Sequence, residues 1–221
     1  MISTISGDYS KYPASIRDAF PCLAGETMEL GQAWGVYSRL FMEEQSRTEL
    51  FASRLGGVLG MFQNQLQDEL FISIARLTDK DSRDQENLSL WSLLVAIPET
   101  ADETFSASVT DKLNAIYSAA YGIRKHRHKR LAHFDKNTNL KLSVLPVVTF
   151  REIREIITLM EEFLNVFYWQ FERTTMIFDC LSPYDLSDRM ETTVYKAEAY
   201  DALEQEGVIP RMEWRKRANR K

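Results

Sequence analysis

All three histidines of this 221-residue chain, His126, His128 and His133, fall within one short stretch. The stretch is strongly basic, because five lysines and arginines and no acid occupy the seven positions 124–130. Imidazole exchanges protons near neutral pH, and a guanidinium offers a planar, permanently charged fork to phosphate oxygens. Residues of these types so close together indicate acid–base chemistry on an anionic substrate. The simpler interpretation is a solvated helix end whose cations complement the helix dipole.

The helix leading into this stretch predicts an unusual position for Arg127. Apolar residues recur at helical spacing ahead of it, at Ile116, Ala120 and Ile123. Arg127 continues that apolar face, so it must be paired, or lie at a cleft or a subunit interface. Either it forms an ion pair with an acid such as Asp68 or Glu69, or it is directed at an anionic ligand.

Helix geometry leaves two arginines as candidates for that role. In an unbroken α-helix six residues turn through about 600°, so His133 would point about 120° away from Arg127. The two side chains converge only if the helix ends or bends near Ala132, or if they meet across a dimer. In a straight helix His126, Arg130 and His133 share one face instead, which makes Arg130 the alternative.

The sequence contains no convincing set of metal ligands. Its two cysteines, Cys22 and Cys180, match no metal-ligand spacing. His128 and Asp135 could be considered as ligands, but the neighbouring arginines disfavour a cation there. The chain also lacks a Gly-rich phosphate loop and a Gly-x-Ser-x-Gly elbow, so no metal or other cofactor is predicted.

Amphipathic helices are the elements that must position these residues. Apolar stripes predict helices near 30–41 and over 47–77, 88–97, 109–123, 153–171 and 194–206. The stripe over 47–77 keeps its phase through Gly56-Gly57, so we expect one long helix that is weakened or bent there. Four or five long helices with little strand signal predict an all-α bundle.

The predicted organisation has three parts. An irregular N-terminal arm is expected over 1–25, the helical bundle over 26–175, and an extension with a weak helix and a basic tail over 176–221. The last eleven residues hold six lysines and arginines and one acid although the net charge is −5, so this tail could contact RNA backbone or dock a partner. We interpret Trp91 and Trp169 as core or interface residues rather than as platforms for base stacking.

Composition favours a cytoplasmic protein. No uncharged apolar run approaches the roughly 20 residues of a membrane helix, and the N-terminus has no signal-peptide pattern. Two cysteines in a chain of this length suit a reducing compartment.

The stretch Arg127-His128-Lys129-Arg130-Leu131-Ala132-His133 resembles the motif of the HEPN superfamily. In that motif an arginine is followed by a polar residue, commonly Asn, Asp or His, and then after four to six residues by a histidine. The ending Ala132-His133-Phe134-Asp135 is similar to that of AbiU-type HEPN proteins of the abortive-infection branch. So is the upstream helix end Ile74-Ala75-Arg76-Leu77-Thr78-Asp79. The resemblance covers about residues 26–172.

This resemblance implies a helical bundle that pairs through its motif-bearing face and acts as a metal-independent endoribonuclease in a bacterial defence or toxin–antitoxin system. It assigns catalysis to Arg127 and His133 and a supporting role to His128. We further expect Arg130, His126 and Asp135 to support the site. Contacts to the RNA backbone are expected from Arg124, Lys125 and Lys129. The implied partners are RNA, a second copy of the chain, and a cognate antitoxin or other defence-system protein. Because some HEPN proteins have lost activity, a non-catalytic module that binds nucleic acid or a nucleotide is the alternative.

Overall fold

A computed structural model describes residues 5, 7–43, 45–80, 87–132, 135–140, 143–178 and 184–218. Over these residues the chain is built from helices: α1 (Ala14–Arg17), α2 (Ala19–Phe41), α3 (Gln45–Leu55), α4 (Gly57–Thr78), α5 (Leu90–Val95), α6 (Glu103–Ala119), α7 (Tyr121–His126), a π-helical segment (Arg127–Ala132), α8 (Lys136–Asn139), α9 (Phe150–Glu172), α10 (Tyr184–Gln205) and α11 (Glu213–Ala218). The described part of the chain contains no strand, which confirms the predicted all-α fold.

The chain divides into two compact units, and the division falls inside α2 and α4. The first unit comprises Met1–Gly35 and Asn64–Leu181, and the second comprises Val36–Gln63 and Ser182–Lys221. The first unit therefore contains α5 to α9 and the histidine-containing stretch.

The packing of α6 along α9 forms the centre of the first unit. One face of α9 is buried, at Ile153, Ile156, Ile157, Met160, Phe163, Leu164, Phe167 and Tyr168. A capping box starts this helix, because Thr149 accepts the Glu152 amide and the Glu152 carboxylate accepts the Thr149 amide. On α6 the predicted stripe is also buried, at Val109, Leu113 and Ile116. The apolar faces read from the sequence thus form the core that supports α7.

Residues 12–24 contribute to this core, although the sequence analysis placed them in an arm. Tyr12, Ile16 and Phe20 are at most 1% exposed. The Phe20 ring lies 5.0 Å from that of Tyr168, and the Tyr12 hydroxyl donates to Glu172 Oε1 at 2.7 Å. Tyr12 precedes α1 and Phe20 lies in α2, and both rings pack against α9, so the compact first unit begins well before residue 26.

The predicted single helix over 47–77 is wrong, since it is divided at Gly56. This glycine has φ +52°, a left-handed conformation that ends α3 at Leu55 and lets α4 begin at Gly57. Phe51 before the break and Leu59 after it are both buried, but Val58 and Phe62, which continue the apolar stripe in the sequence, are 68% and 46% exposed. The break therefore changes which face of the chain is buried.

The second unit has its own small core, formed by Leu40, Phe51, Leu59 and Val194. Arg47 of α3 is only 3% exposed, and its Nε lies 2.9 Å from Glu191 Oε2 on α10. The C-terminal helix α10 spans Tyr184–Gln205, longer than the weak helix predicted over 194–206. It packs on α3, so the last part of the chain shares a unit with residues 36–63. Across the described residues no helix is both long and apolar enough to cross a membrane.

Candidate functional site

The basic window, residues 124–130, occupies the end of α7 and most of the π-helical segment. Regular α-helix ends at His126, and from Arg127 to Ala132 the backbone closes wider turns. π-helical turns are rare and short, and they often occur at functional sites. The rotation of about 100° per residue assumed from the sequence therefore does not apply over 127–132. His133 lies outside the described residues, so its convergence with Arg127 stays a prediction.

Among the described residues, Arg127 forms one loose ion pair. Its Nη2 lies 3.5 Å from Asp79 Oδ2, just beyond the C-terminus of α4. The expected acids, Asp68 and Glu69, are not its partners. A charge-assisted hydrogen bond is about 2.7–2.9 Å long, so this contact is electrostatic rather than a tight bond. The arginine side chain is 39% exposed and accessible to a ligand.

The next two cations of the window are held more closely. Arg130 Nη2 lies 2.6 Å from Asp68 Oδ1, and the guanidinium lies 6.0 Å from the Phe71 ring. Lys129 Nζ lies 3.1 Å from Asp135 Oδ2. Of the two arginines that the sequence left as candidates, Arg127 thus has the longer contact with its carboxylate.

Asp135 acts as the N-cap of the short helix α8. Its Oδ1 accepts hydrogen bonds from the Thr138 amide at 3.0 Å and the Thr138 hydroxyl at 2.9 Å. These bonds and the Lys129 ammonium stabilise the carboxylate and lower its pKa to about 2. Asp135 is therefore ionised at neutral pH and anchors Lys129 rather than donating a proton.

His126 connects α7 to the segment before α9. Its Nε2 lies 2.8 Å from the Pro146 carbonyl oxygen and donates to it, since a carbonyl can only accept. The ring packs edge-on against Phe71 with centroids 5.3 Å apart. These contacts hold the end of α7 in place, which fits a positioning role for His126.

Three further members of the window differ in their surroundings. Arg124 is half-buried, with its guanidinium carbon 3.6 Å from the centre of the Tyr117 ring, and burial lowers its pKa. Lys125 is exposed, with its ammonium 5.4 Å from the Tyr121 ring, and His128 is exposed. Lys125 can thus reach a phosphate, whereas the Arg124 guanidinium is stacked on the Tyr117 ring.

Ion pairing reduces the charge that the window presents. Three of its five lysines and arginines contact aspartates, which bring an equal number of negative charges. In the part of the chain that the structure describes, no group of three or more His, Cys, Asp or Glu side chains could hold a metal ion. Arg127, Lys129 and Arg130 thus each have an aspartate partner that an anionic ligand can replace.

The partners of the window differ from those expected from the sequence. Asp68, expected beside Arg127, pairs with Arg130, and Asp79 was not expected as a partner, because the pairing depends on how α4 packs beside α7. Trp91 and Tyr117 border Arg124, and the signal that could have found them is the placement of Tyr117 seven residues, about two helical turns, before Arg124.

An all-α bundle with an Arg-His sequence at the end of a helix is the architecture of a HEPN-type domain. The model of the HEPN family described as AbiU2 matches residues 15–190, and the chain belongs to that family. The match begins eleven residues before the predicted limit of 26, in agreement with the burial of Ile16 and Phe20. No curated protein and no solved structure matches the chain.

Proposed function

We propose that this abortive-infection-type HEPN protein is a metal-independent endoribonuclease of a bacterial defence system, with Arg127 and His133 as its catalytic residues. Family membership supports the class of protein. The observation that carries the assignment of Arg127 is its loose, partly exposed contact with Asp79 at 3.5 Å. A phosphate can replace Asp79 at low cost, because exposed ion pairs contribute only about 0–1 kcal/mol.

The proposed reaction uses the nucleophile that RNA itself carries. A base removes the proton of the 2′-hydroxyl, and the resulting oxygen attacks the adjacent phosphorus. An acid gives a proton to the 5′-oxygen as its bond to phosphorus breaks. The products are a 2′,3′-cyclic phosphate and a 5′-hydroxyl. His133 supplies the proton transfer, and the Arg127 guanidinium stabilises the charge on the phosphorane.

The other residues of the window assist in the proposed site. Lys125 contacts RNA backbone from its exposed position, and Lys129 and Arg130 exchange their carboxylates for phosphates when RNA binds. His128 supports the motif, while His126 fixes the window against Pro146. In a twofold dimer each site takes Arg127 from one copy and His133 from the other, and that single imidazole carries out the proton transfer.

The test is cleavage of labelled RNA in the presence of EDTA. We expect new 5′-hydroxyl and cyclic phosphate ends with the parent protein, and a loss of at least about 100-fold in rate for Arg127→Ala and His133→Ala. Arg151→Ala is the matched control, because Arg151 is an exposed arginine on the first turn of α9. Cleavage at the parental rate by Arg127→Ala or by His133→Ala would contradict the site assignment.

A non-catalytic nucleic-acid-binding module is the second candidate. It is favoured by the pairing of three of the window's cations with aspartates, which suits a surface that binds through exchange of ion pairs. The same assay separates the two, since a gel shift with intact RNA supports the binding module and cleavage supports the enzyme.

A further inference from the structure

Four side chains from four elements meet beside the basic window. Trp91 of α5 and Tyr117 of α6 lie edge to face, with ring centroids 5.4 Å apart and planes at 85°. The Lys80 ammonium, just after α4, lies 4.0 Å from the Trp91 ring centre and 4.6 Å from that of Tyr117. The Arg124 guanidinium lies 3.6 Å from the Tyr117 ring. We call Trp91 and Tyr117 the aromatic corner.

The aromatic corner lies next to both members of the Arg127 ion pair. Lys80 directly follows Asp79, the partner of Arg127. Arg124 lies one helical turn before Arg127, and residues three apart are neighbours on a helix surface. A strand whose phosphate replaced Asp79 at Arg127 would therefore carry its adjacent nucleoside to the corner.

The corner is built to accept a flat ring. Both of its side chains are half-buried, and the Trp91 indole is fixed by a hydrogen bond from Nε1 to the Thr78 carbonyl at 3.2 Å. The face of the Trp91 ring is covered by the ammonium of Lys80, an exposed lysine whose side chain is long and flexible. Every nucleobase has a π-face that stacks on an aromatic side chain, whereas an exposed ammonium over such a ring is weakly held.

A positive charge lies at the same place, because the Arg124 guanidinium carbon is 3.6 Å from the centre of the Tyr117 ring. A guanidinium only donates hydrogen bonds and attracts phosphate oxygens. The displaced Lys80 ammonium remains close enough to pair with the strand.

We propose that the Trp91 ring stacks an unpaired nucleobase in place of the Lys80 ammonium, with Tyr117 against the edge of that base, next to the phosphate that Arg127 holds. This inference rests on the proposed function and deepens it, because it makes single-stranded RNA the substrate. A base within a duplex is stacked on both sides and is not available to the corner.

Binding of an RNA that cannot be cut tests the subsite separately from catalysis. The probe is a single-stranded oligoribonucleotide with every 2′-hydroxyl methylated, titrated into the full chain while tryptophan fluorescence is recorded. A phosphodiester chain of the same length with tetrahydrofuran in place of each nucleoside carries the charge without bases. We expect the RNA analogue to quench the parent protein and to quench Trp91→Phe less, while the baseless chain quenches neither.

Two kinds of variant separate stacking from charge. Trp91→Leu should weaken binding about tenfold at every salt concentration, because it removes a stacked base without removing a phosphate contact. Lys80→Ala should instead lower the slope of log affinity against log salt by about 0.7. Trp169→Leu is the matched control, since Trp169 is 56% exposed and has Arg173 6.0 Å from its ring. Tyr117→Leu, with its fold checked by circular dichroism, repeats the stacking test if Trp91→Leu is unfolded.

The outcomes distinguish the subsite from the proposed function. Quenching that depends on Trp91 supports the subsite even if the parent protein cuts no RNA, in which case the proposed function fails and the subsite stands. If the protein cuts RNA but Trp91→Leu and Tyr117→Leu bind the analogue as tightly as the parent, the subsite is wrong and the function stands.

Discussion

Arg127 and Arg130 are neighbours in the chain, yet the carboxylates that hold them lie far apart along α4. Asp68 and Asp79 are eleven residues apart, which is about three turns of an α-helix, so both project from the same face. The two arginines accordingly extend in different directions from one π-helical segment. The acid at the end of α4, Asp79, has the less tightly bound guanidinium.

Replacing Asp79 by asparagine should release Arg127 toward RNA. We expect Asp79→Asn to raise the affinity for single-stranded RNA up to about fivefold and to change the free energy of unfolding by less than about 1 kcal/mol, since both partners are partly exposed. Fluorescence anisotropy and urea denaturation measure the two quantities.

Asp111→Asn makes the same chemical change at an exposed position on α6 and serves as the control. Weaker RNA binding in Asp79→Asn than in Asp111→Asn would show that Asp79 holds Arg127 in its working position instead of competing with the phosphate.

At the scale of the elements, Gly56 decides where α3 ends. Its φ of +52° is a conformation that costs a residue with a Cβ roughly 1–2 kcal/mol. Gly60 lies within α4, and nothing approaches within 4 Å of the place where its Cβ would be. Gly56 thus has a backbone conformation that disfavours a side chain, whereas Gly60 has a helical conformation and open space for one.

Alanine substitutions at these glycines should therefore shift stability in opposite directions. We expect Gly56→Ala to lower the free energy of unfolding by about 1–2 kcal/mol and Gly60→Ala to raise it by about 0.5–1 kcal/mol. Denaturant midpoints followed by circular dichroism measure both. Equal stability of Gly56→Ala and the parent would mean that α3 and α4 tolerate a continuous helix.

The sequence predicted the helical class but not each boundary. The buried faces of α6 and α9 follow apolar residues at helical spacing, which report burial directly. The same signal is blind to Gly56, because apolar residues at helical spacing continue through the break in the sequence, although Val58 and Phe62 after it are exposed. Residues 12–24 carry a helical stripe as well, but Ser, Gly and Pro around it favoured an arm.

Only part of the candidate site could be predicted from the sequence, because helical spacing reports which residues are buried but not which residues of another helix they contact. Residue types and spacing identified the basic window, and helical phase showed that Arg127 needs a partner. The identity of that partner, Asp79, depends on the packing of α4 beside α7, which spacing within one helix does not encode. Trp91 was interpreted as core because an isolated tryptophan in an apolar run has no feature that distinguishes a half-buried ring from a buried one.

At the scale of the whole molecule, the proposed reaction requires two copies of the chain. The chain is acidic overall, with net charge −5, so a twofold axis near the window would place the cations of two copies together in an otherwise negative particle. A site that takes Arg127 from one copy and His133 from the other can be detected by mixing.

Mixed dimers of two inactive variants should regain activity. In a dimer of Arg127→Ala with His133→Ala, one composite site has lost both residues and the other has kept both. Random mixing makes about half of the dimers mixed, so about a quarter of parental RNA cleavage should return. Each variant taken alone through the same unfolding and refolding cycle is the control. A mixture as inactive as its components would place Arg127 and His133 of one site on the same chain.

The π-helical segment Arg127–Ala132 also has a consequence for the length of this part of the chain. A turn closed by bonds from i to i+5 holds one residue more than the α-helical turn it replaces. The segment can therefore give up a residue and become regular helix while α7 before it keeps its frame. A chain with one residue fewer between Arg127 and Ala132 would therefore keep both α7 and a helical backbone over this segment.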